Sequence, residues 1–372
     1  MDRFSNNAPV RHAVVGIGAS IFSNHREGAK LPEFELVAGT DIDPARGKPN
    51  TDEFGVPFYT DHRRMLAEVK PELVVIITPH PFHAPIAIDC LEAGCHVLIE
   101  KPLAVRVSEA DAVIAAAKRA DKLAGVNFQQ RCRGDMRTVA KLLADGRLGE
   151  VQALEIAMAW PRTKTYYDSG SWRGTWAGEG GGVIMNQAPH QLDLTCHFLG
   201  LPESVFAYTS TTQHDIETED TVHAVCRWKN GATGFIHITT AEAGRPERIE
   251  IAGTAGSVQL LNGKLTVGTM DKDFREVIAN SAEKMPAITA QPLDVPLEPG
   301  RGEHTDIYAN FYDALRNGAP LVASVESSLM SLELANAMIL SGHTGRPVDL
   351  PVDRAAYDTL FNELAAGSKY KG

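Results

Sequence analysis

Between His12 and about Glu150, short β-rich runs alternate with stretches of helical period, and few architectures accommodate that alternation. Residues 11–16, 35–40, 73–77, 96–99 and 123–128 read as strands, with a short one at 57–59. Residues 82–93 and 107–121 place Ala, Ile and Val at three- and four-residue spacing, as helices with one buried face do. Ser108, with Asp111 three residues on, offers an N-cap to the second of these helices. Strands separated by helices imply a parallel sheet, and the carboxyl edge of such a sheet is where α/β folds bind ligands.

Four strand ends at that edge carry unusual residues. The first strand runs into Gly16-Ile17-Gly18, with a helix expected from about Ala19. The glycines permit a tight bend and a close approach to a pyrophosphate at the helix N-terminus, although the third glycine of G-x-G-x-x-G is replaced by Ile21, and a plain β-α turn reads the same way. Asp41 ends the second strand at the distance expected of a carboxylate that accepts both ribose hydroxyls of an adenosine, which favours NAD over NADP. Arg46 is close enough to serve a 2′-phosphate instead, and Asp43 reads as the cap of a helix starting at Pro44. The third strand ends in Thr78-Pro79-His80-Pro81-Phe82-His83; the two histidines have no neighbouring Cys, Asp or Glu and read as binding no metal. The fourth ends in Val97-Leu98-Ile99-Glu100-Lys101-Pro102, where proline biases Lys101 towards an extended or turn conformation. That segment is either a polar strand end or the mount of a reactive lysine.

After Gly149 the pattern changes. Residues 151–159, 204–211, 221–227, 232–239, 248–251 and 257–261 read as strands of a mainly antiparallel sheet, with Lys229-Asn230-Gly231 as one hairpin turn. Between the first two lie Trp172-Arg173-Gly174-Thr175-Trp176, a glycine run ending at Gly182, and a helix expected over 183–198. Spacings of four and three put Asn186, His190 and Asp193 on one face of that helix. His190 is either a satisfied core histidine or part of a site; its neighbours Trp172, Arg173 and Trp176 are residue types that line sugar sites, while two tryptophans on a loop can equally serve only to pack. The glycine run suits an anion nest but lacks the residues that follow a P-loop. Helices at 303–317 and 325–341 and an extended arm at 346–351 close the chain, and 270–302 reads as a surface excursion.

A formal charge of -11 and the lack of a basic cluster argue against nucleic acid as a partner. No apolar run approaches the roughly 18 residues of a membrane helix, and no secretory signal is visible, so a soluble cytoplasmic protein is expected. Five cysteines, odd in number and outside any C-x-x-C pair, fit buried free thiols in a reducing compartment. A small-molecule partner fits these features best.

The glycine turn, Asp41, Thr78-Pro79, Glu100-Lys101-Pro102, Gly180-Gly181-Gly182 leading to His190 and Asp193, Asn310-Phe311-Tyr312-Asp313-Ala314-Leu315 and Arg346-Pro347-Val348 together resemble the Gfo/Idh/MocA oxidoreductases. The resemblance implies a Rossmann domain at 1–130, able to take back the closing helices. It also implies a substrate and oligomerisation domain at 131–372, an α+β fold with a large open sheet that often joins subunits as dimer or tetramer. It implies bound NAD, contacted by Gly16, Ile17, Gly18, Asp41, Thr78, Pro79, His83, Glu100 and Lys101. The Lys-Asp-His set of inositol dehydrogenases maps onto Lys101, Asn186 and His190, with asparagine replacing the carboxylate; His80 replaces the family's usual Asn after Thr-Pro. The expected reaction is oxidation of a secondary hydroxyl of a sugar, sugar derivative or cyclitol. Lys101 and His190 are the expected catalytic pair, with Arg173, Trp172, Asn186, Asp193 and His304 orienting substrate. An NAD-dependent glycosidase and a non-catalytic sugar sensor of the same fold are the alternatives.

Overall fold

A computed structural model of the chain describes residues 8–370. The chain divides into two compact units, one formed up to Cys132 together with Arg301–Leu332, the other by Arg133–Gly300 and the chain from Glu333 onwards.

The first unit holds β1 (Val10–Val15), β2 (Phe34–Thr40), β3 (Phe58–Tyr59), β4 (Leu73–Ile76), β5 (His96–Ile99) and β6 (Ala124–Val126). They pair in the order β3-β2-β1-β4-β5-β6, every pair parallel. This is the doubly wound arrangement, in which the strand order reverses between β1 and β4 and opens a crevice at their carboxyl ends. The central strand Leu73–Ile76 is buried throughout, as a strand covered on both faces must be. Val14, Ile17, Val75 and Leu98 share a core with Ile307, Tyr308 and Phe311, which the returning segment Arg301–Leu332 supplies. Two helix starts differ from expectation. The helix after the glycine turn begins at Phe22, not near Ala19. The helix Val107–Ala120 already contains Ser108; its start is closed by Glu109, whose carboxylate accepts the Val105 and Arg106 N–H groups at 3.2 and 3.3 Å.

The second unit holds β7 (Val151–Ala159), β8 (Ser204–Ser210), β9 (Thr221–Arg227), β10 (Thr233–Thr239), β11 (Arg248–Gly253), β12 (Gly256–Leu261), β13 (Lys264–Thr269), β14 (Gln291–Leu293) and β15 (Val348–Asp349). The sheet order is β14-β13-β12-β11-β7-β10-β9-β8-β15. All neighbours are antiparallel except β7 and β10. Strand β9 buries Val222, Ala224 and Cys226 and turns His223, Val225 and Arg227 outward, the alternation of a sheet packed on one face. The arm at 346–351 does not end the chain: β15 pairs with β8, and the helix Arg354–Ala366 follows, capped by Asp353. The excursion at 270–302 contains the helix Phe274–Asn280 and β14.

The helix expected over 183–198 is two helices, Val183–Asn186 and Pro189–Leu199. Pro189 has no N–H to give the preceding turn, so it starts a new helix instead of continuing the old one. Asn186 therefore does not share a continuous helical face with His190 and Asp193. None of the five cysteines forms a disulfide, and all are buried. Among the described residues, no helix is long and apolar enough to cross a membrane.

Candidate active site

At the carboxyl edge of the first sheet, Gly16 takes φ +92°, and a Cβ there would stand 3.0 Å from the Ile77 backbone. Side chains are excluded from this turn for both reasons. The Gly16 and Ile17 N–H groups donate to Thr40 O at 2.7 and 3.0 Å, and the Gly18 N–H donates to Asp41 Oδ2 at 2.8 Å. The amides of Gly16, Ile17 and Gly18, expected to contact a phosphate, are thus engaged by Thr40 and Asp41 at the end of β2. Ser20 and Ile21, just before the helix Phe22–Ala29, are the turn residues whose amides have no protein acceptor among the described residues. Asp41 is fixed from both sides, since its Oδ1 accepts the Asp43 N–H at 2.9 Å. Asp43 also caps its helix through Ala45 at 2.9 Å, as its sequence position implies.

The Thr78 carbonyl accepts from, or faces, His83 Nε2 at 2.7 Å, and His83 Nδ1 lies 2.7 Å from Pro102 O. His83 is buried and ties the end of β4 to the segment after β5; its ring nitrogens are both taken by backbone, so its influence on a ligand passes through those carbonyls. Burial pulls its pKa down, against the two carbonyls, which favour protonation. The Thr78 hydroxyl is buried with no partner among the described residues, an orphan polar atom of the kind a bound group completes. A turn too tight for a side chain, a fixed carboxylate at the end of β2 and this orphan hydroxyl all fit a dinucleotide. A surface depression lined by Arg11, Lys70, Glu72, Gly94 and Lys122 lies at the opposite, amino edge of the same strands and is not this site.

Beneath Lys101 lies a buried cluster. Glu100, 6% exposed, turns Oε2 to the Lys101 N–H at 3.0 Å. Its Oε1 accepts from His25 Nε2 at 2.9 Å, Asn127 Nδ2 at 2.5 Å and His304 Nε2 at 3.2 Å. His25 Nδ1 lies 3.2 Å from the Tyr308 hydroxyl, so a neutral ring that donates to Glu100 and accepts from Tyr308 satisfies both. Burial alone would raise the Glu100 carboxyl, but the hydrogen bonds from His25 and His304 outweigh it and hold the group well below the usual carboxylate range. His304, expected at the substrate, makes its contact here with Glu100. His25, Glu100 and His304 bring three potential ligand atoms within 4.8 Å of one another. The contacts inside the group are hydrogen bonds, and Asn127 points a further donor at the shared oxygen, which suits a carboxylate and not a metal ion. His80 is buried beside His83 and joins no such group among the described residues.

In the second unit, His190 is 8% exposed in the first turn of Pro189–Leu199, and Asp193, one turn on, is 1% exposed. Asn186 donates through Nδ2 to the Tyr166 hydroxyl at 3.2 Å and, in a short contact, to Glu179. Glu179 is 1% exposed, accepts the Gly174 N–H at 2.5 Å and lies 3.8 Å from Arg173 Nη1. The carboxylate that Asn186 lacks thus stands beside it, on a residue the sequence did not single out. Arg173 is sandwiched between Trp172 and Tyr166, its guanidinium carbon 4.3 and 4.4 Å from the ring centres. Trp176, by contrast, is buried and donates to Glu217 O at 3.1 Å, a packing role.

The glycine run does hold an anion, and it is the chain's own. Gly182 and Ile184 N–H groups donate to Glu219 Oε1 at 2.9 and 3.0 Å, and a Cβ on Gly182 would stand 1.9 Å from Glu219 O. Burial pushes the Glu219 carboxyl up to about 7, opposed by the Ile184 and Gly182 N–H groups and assisted by the nearby Glu179 charge. Nothing in residues 218–221 signals this partnership, because the glycines are nearly forty residues away in sequence.

These units match known families. Residues 10–128 match the oxidoreductase family with an NAD-binding Rossmann fold, and residues 136–259 match the GFO/IDH/MocA C-terminal domain. The WlbA dehydrogenase of Chromobacterium violaceum, solved with NADH and UDP-GlcNAcA, is 31% identical, with a TM-score of 0.81 over 93% of this chain and 97% of that one. The uncharacterized oxidoreductase YdgJ of Escherichia coli is 27% identical over 87% of this chain and 94% of its own length. The myo-inositol 2-dehydrogenase of Thermotoga maritima is 24% identical over 92% and 98%. The chain belongs to the Gfo/Idh/MocA oxidoreductases, an NAD-binding enzyme family.

Proposed function

We propose that the chain is an NAD-dependent dehydrogenase that reversibly oxidises a secondary hydroxyl of a sugar, a sugar derivative or an inositol-type cyclitol. The observation that carries this is Lys101, anchored at the end of β5 by a buried carboxylate, in an oxidoreductase chain that also keeps His190. NAD, when bound, takes up the hydride. Asp41 would accept the adenosine ribose hydroxyls and repel a 2′-phosphate, which makes NAD the preferred cofactor over NADP. Ile42, 92% exposed beside it, would offer an apolar flank to a bound adenine, and the Ser20 and Ile21 amides would hold the pyrophosphate. The Lys101 ammonium stabilises negative charge developing on the substrate oxygen, and neutral His190 accepts its proton. Asn186, backed by Glu179, and Arg173 with Trp172 orient the remaining hydroxyls.

Relatives named for inositol and for a UDP-sugar acid favour a polyhydroxylated ring as substrate. The outward residues Phe206, Val225 and Phe235 lie in register across β8, β9 and β10, and Tyr208 and His223 across β8 and β9, an apolar and aromatic face suited to a second copy of the chain in a homodimer or homotetramer. To test the activity, NADH formation is followed with a panel of sugars and cyclitols. Lys101→Ala and His190→Ala are each expected to lower kcat/KM by at least ~100-fold. Undiminished turnover in both variants would sink the assignment.

A further inference from the structure

The short helix Trp176–Glu179 follows closely on Trp172 and Arg173 and carries Glu179, the carboxylate beside Asn186 and Arg173. So short a helix is not held by its own hydrogen bonds, and the N–H groups of its first turn have no acceptor inside it. They find acceptors outside. The Gly178 N–H donates to Thr175 Oγ1 at 3.2 Å, the Trp176 N–H to Glu217 Oε2 at 3.2 Å and the Ala177 N–H to Ser368 Oγ at 3.3 Å. Ser368 lies just past the closing helix Arg354–Ala366 and is 2% exposed. Its hydroxyl donates on to Glu217 Oε2 at 2.7 Å, and the Lys369 N–H donates to Glu217 Oε1 at 2.5 Å. The Glu217 N–H in turn donates to Gly174 O at 2.9 Å, while the Gly174 N–H donates to Glu179. One carboxylate thus ties the backbone between Arg173 and Glu179 to the last described residues of the chain. Burial alone would raise the Glu217 carboxyl, but the bonds from Lys369, Ser368 and Trp176 outweigh it and hold the group below its ordinary value, so it remains an acceptor at neutral pH. Two residues further on, Glu219 accepts from Gly182 and Ile184, so the loop before β9 grips the segment that bears Glu179 at both ends.

We propose that Glu217 is a positioning residue for the sugar side of the site, and that Ser368-Lys369 closes on it as a strap, so that the end of the chain sets substrate affinity without touching substrate. This rests on the dehydrogenase reading above, in which Arg173 and Asn186, backed by Glu179, orient the substrate hydroxyls. The partners of the strap all belong to the second unit and the residues assigned to NAD all belong to the first, so NAD affinity is independent of it.

The experiment uses the full-length protein and its Ser368→Ala, Glu217→Gln and doubly substituted variants, with thermal melting curves to establish that each is folded. Amide exchange is followed over residues 172–179. Calorimetric binding is measured for NAD alone and, with NAD present, for whichever of D-glucose, D-xylose, myo-inositol and UDP-glucuronic acid gives the strongest response; NADH formation gives kcat and KM. Ser368→Ala is expected to speed exchange over this segment about ten-fold and to weaken probe affinity and raise KM about five-fold, with kcat and NAD affinity held within about two-fold. Glu217→Gln should produce the larger loss, and adding Ser368→Ala to it should change affinity by less than about two-fold, because the two residues share one contact. Should Glu217→Gln not fold, Ser368→Ala decides the matter by itself. Unchanged exchange, exchange that rises equally across the whole second unit, unchanged probe affinity, or NAD affinity that falls with probe affinity would each overturn the strap and leave the dehydrogenase reading standing. The expected losses in exchange and binding without any NADH would overturn the dehydrogenase reading alone. Faster exchange with no probe bound by any of the proteins would overturn both.

Discussion

Each unit buries a glutamate, and the two are held in opposite ways. Glu100 accepts from two imidazoles and an amide and is kept ionised, whereas Glu219 accepts from two backbone N–H groups near a second carboxylate and is pushed up to about 7. Both sit beside the segments assigned to chemistry, one directly before Lys101 and the other under the glycine run that leads to His190. The difference teaches that burial does not set the charge of a carboxyl; the capacity of its donors to answer that charge does. Glu100 can act as a fixed negative group behind an ammonium. Glu219 is a group whose protonation follows the medium.

Removing each glutamate gives the largest test of that contrast. Glu100→Leu leaves His25, His304, Asn127 and the Lys101 N–H without their acceptor and is expected to cost about 4 kcal/mol. Glu219→Leu orphans two backbone amides but relieves a strained charge, and at pH 8 about 2 kcal/mol is expected. Urea unfolding separates the two, because Trp160, Trp172, Trp176 and Trp228 all lie in the second unit and amide exchange reports the first. Equal costs would erase the contrast.

A smaller effect separates the units by pH. His12 is buried and its pKa is lowered by that burial to about 4, so the unfolded chain binds its proton first and the first unit loses stability as pH falls from about 6.5 to about 4. Glu219 works the other way: its folded pKa is raised, so the second unit loses stability as pH rises from about 4.5 to about 7. Each window is worth about 3 kcal/mol at most. Exchange and tryptophan fluorescence measured between pH 4.5 and 6.5 should therefore show slopes of opposite sign, and Glu219→Gln should flatten the second slope only. Slopes of the same sign would mean that other groups govern one of the units.

The smallest effects should not distinguish the units at all. Asp43 caps Pro44–Phe54 in the first and Asp353 caps Arg354–Ala366 in the second, each from the surface, and alanine at either should cost about 1 kcal/mol. A large difference between them would point to tertiary strain at one cap, detectable by melting temperature.

The features legible in the sequence were those written locally. The parallel strands, the Gly16-Ile17-Gly18 turn, the cap at Asp43 and the alternation of β9 all follow from neighbours in the chain. Two omissions had local signals. Asn262-Gly263 takes positive φ at both residues and joins β12 to β13, a hairpin signature in plain view, and Asp353 precedes a helical pattern after the supposed closing arm. The break at Pro189 was also visible, but a hydrophobic period continuing through it masks the missing N–H. Glu179 beside Asn186, Glu219 under Gly182 and His304 on Glu100 could not be read, because each pairs residues that only the fold brings together. Charged side chains are common enough that pattern alone does not mark the few that are buried in pairs.

The segment Arg301–Leu332 has a practical consequence for anyone dissecting the protein. It brings Tyr308 against Gly28, where a Cβ would stand 2.6 Å from the ring, and it lays Ala323 and Ser324 along β6. An expression fragment cut near residue 130 would lose that strip and expose the aromatic and aliphatic wall it covers. A faithful excision of the nucleotide-binding half must instead be a spliced gene, with the late segment grafted behind Cys132 through a short designed linker.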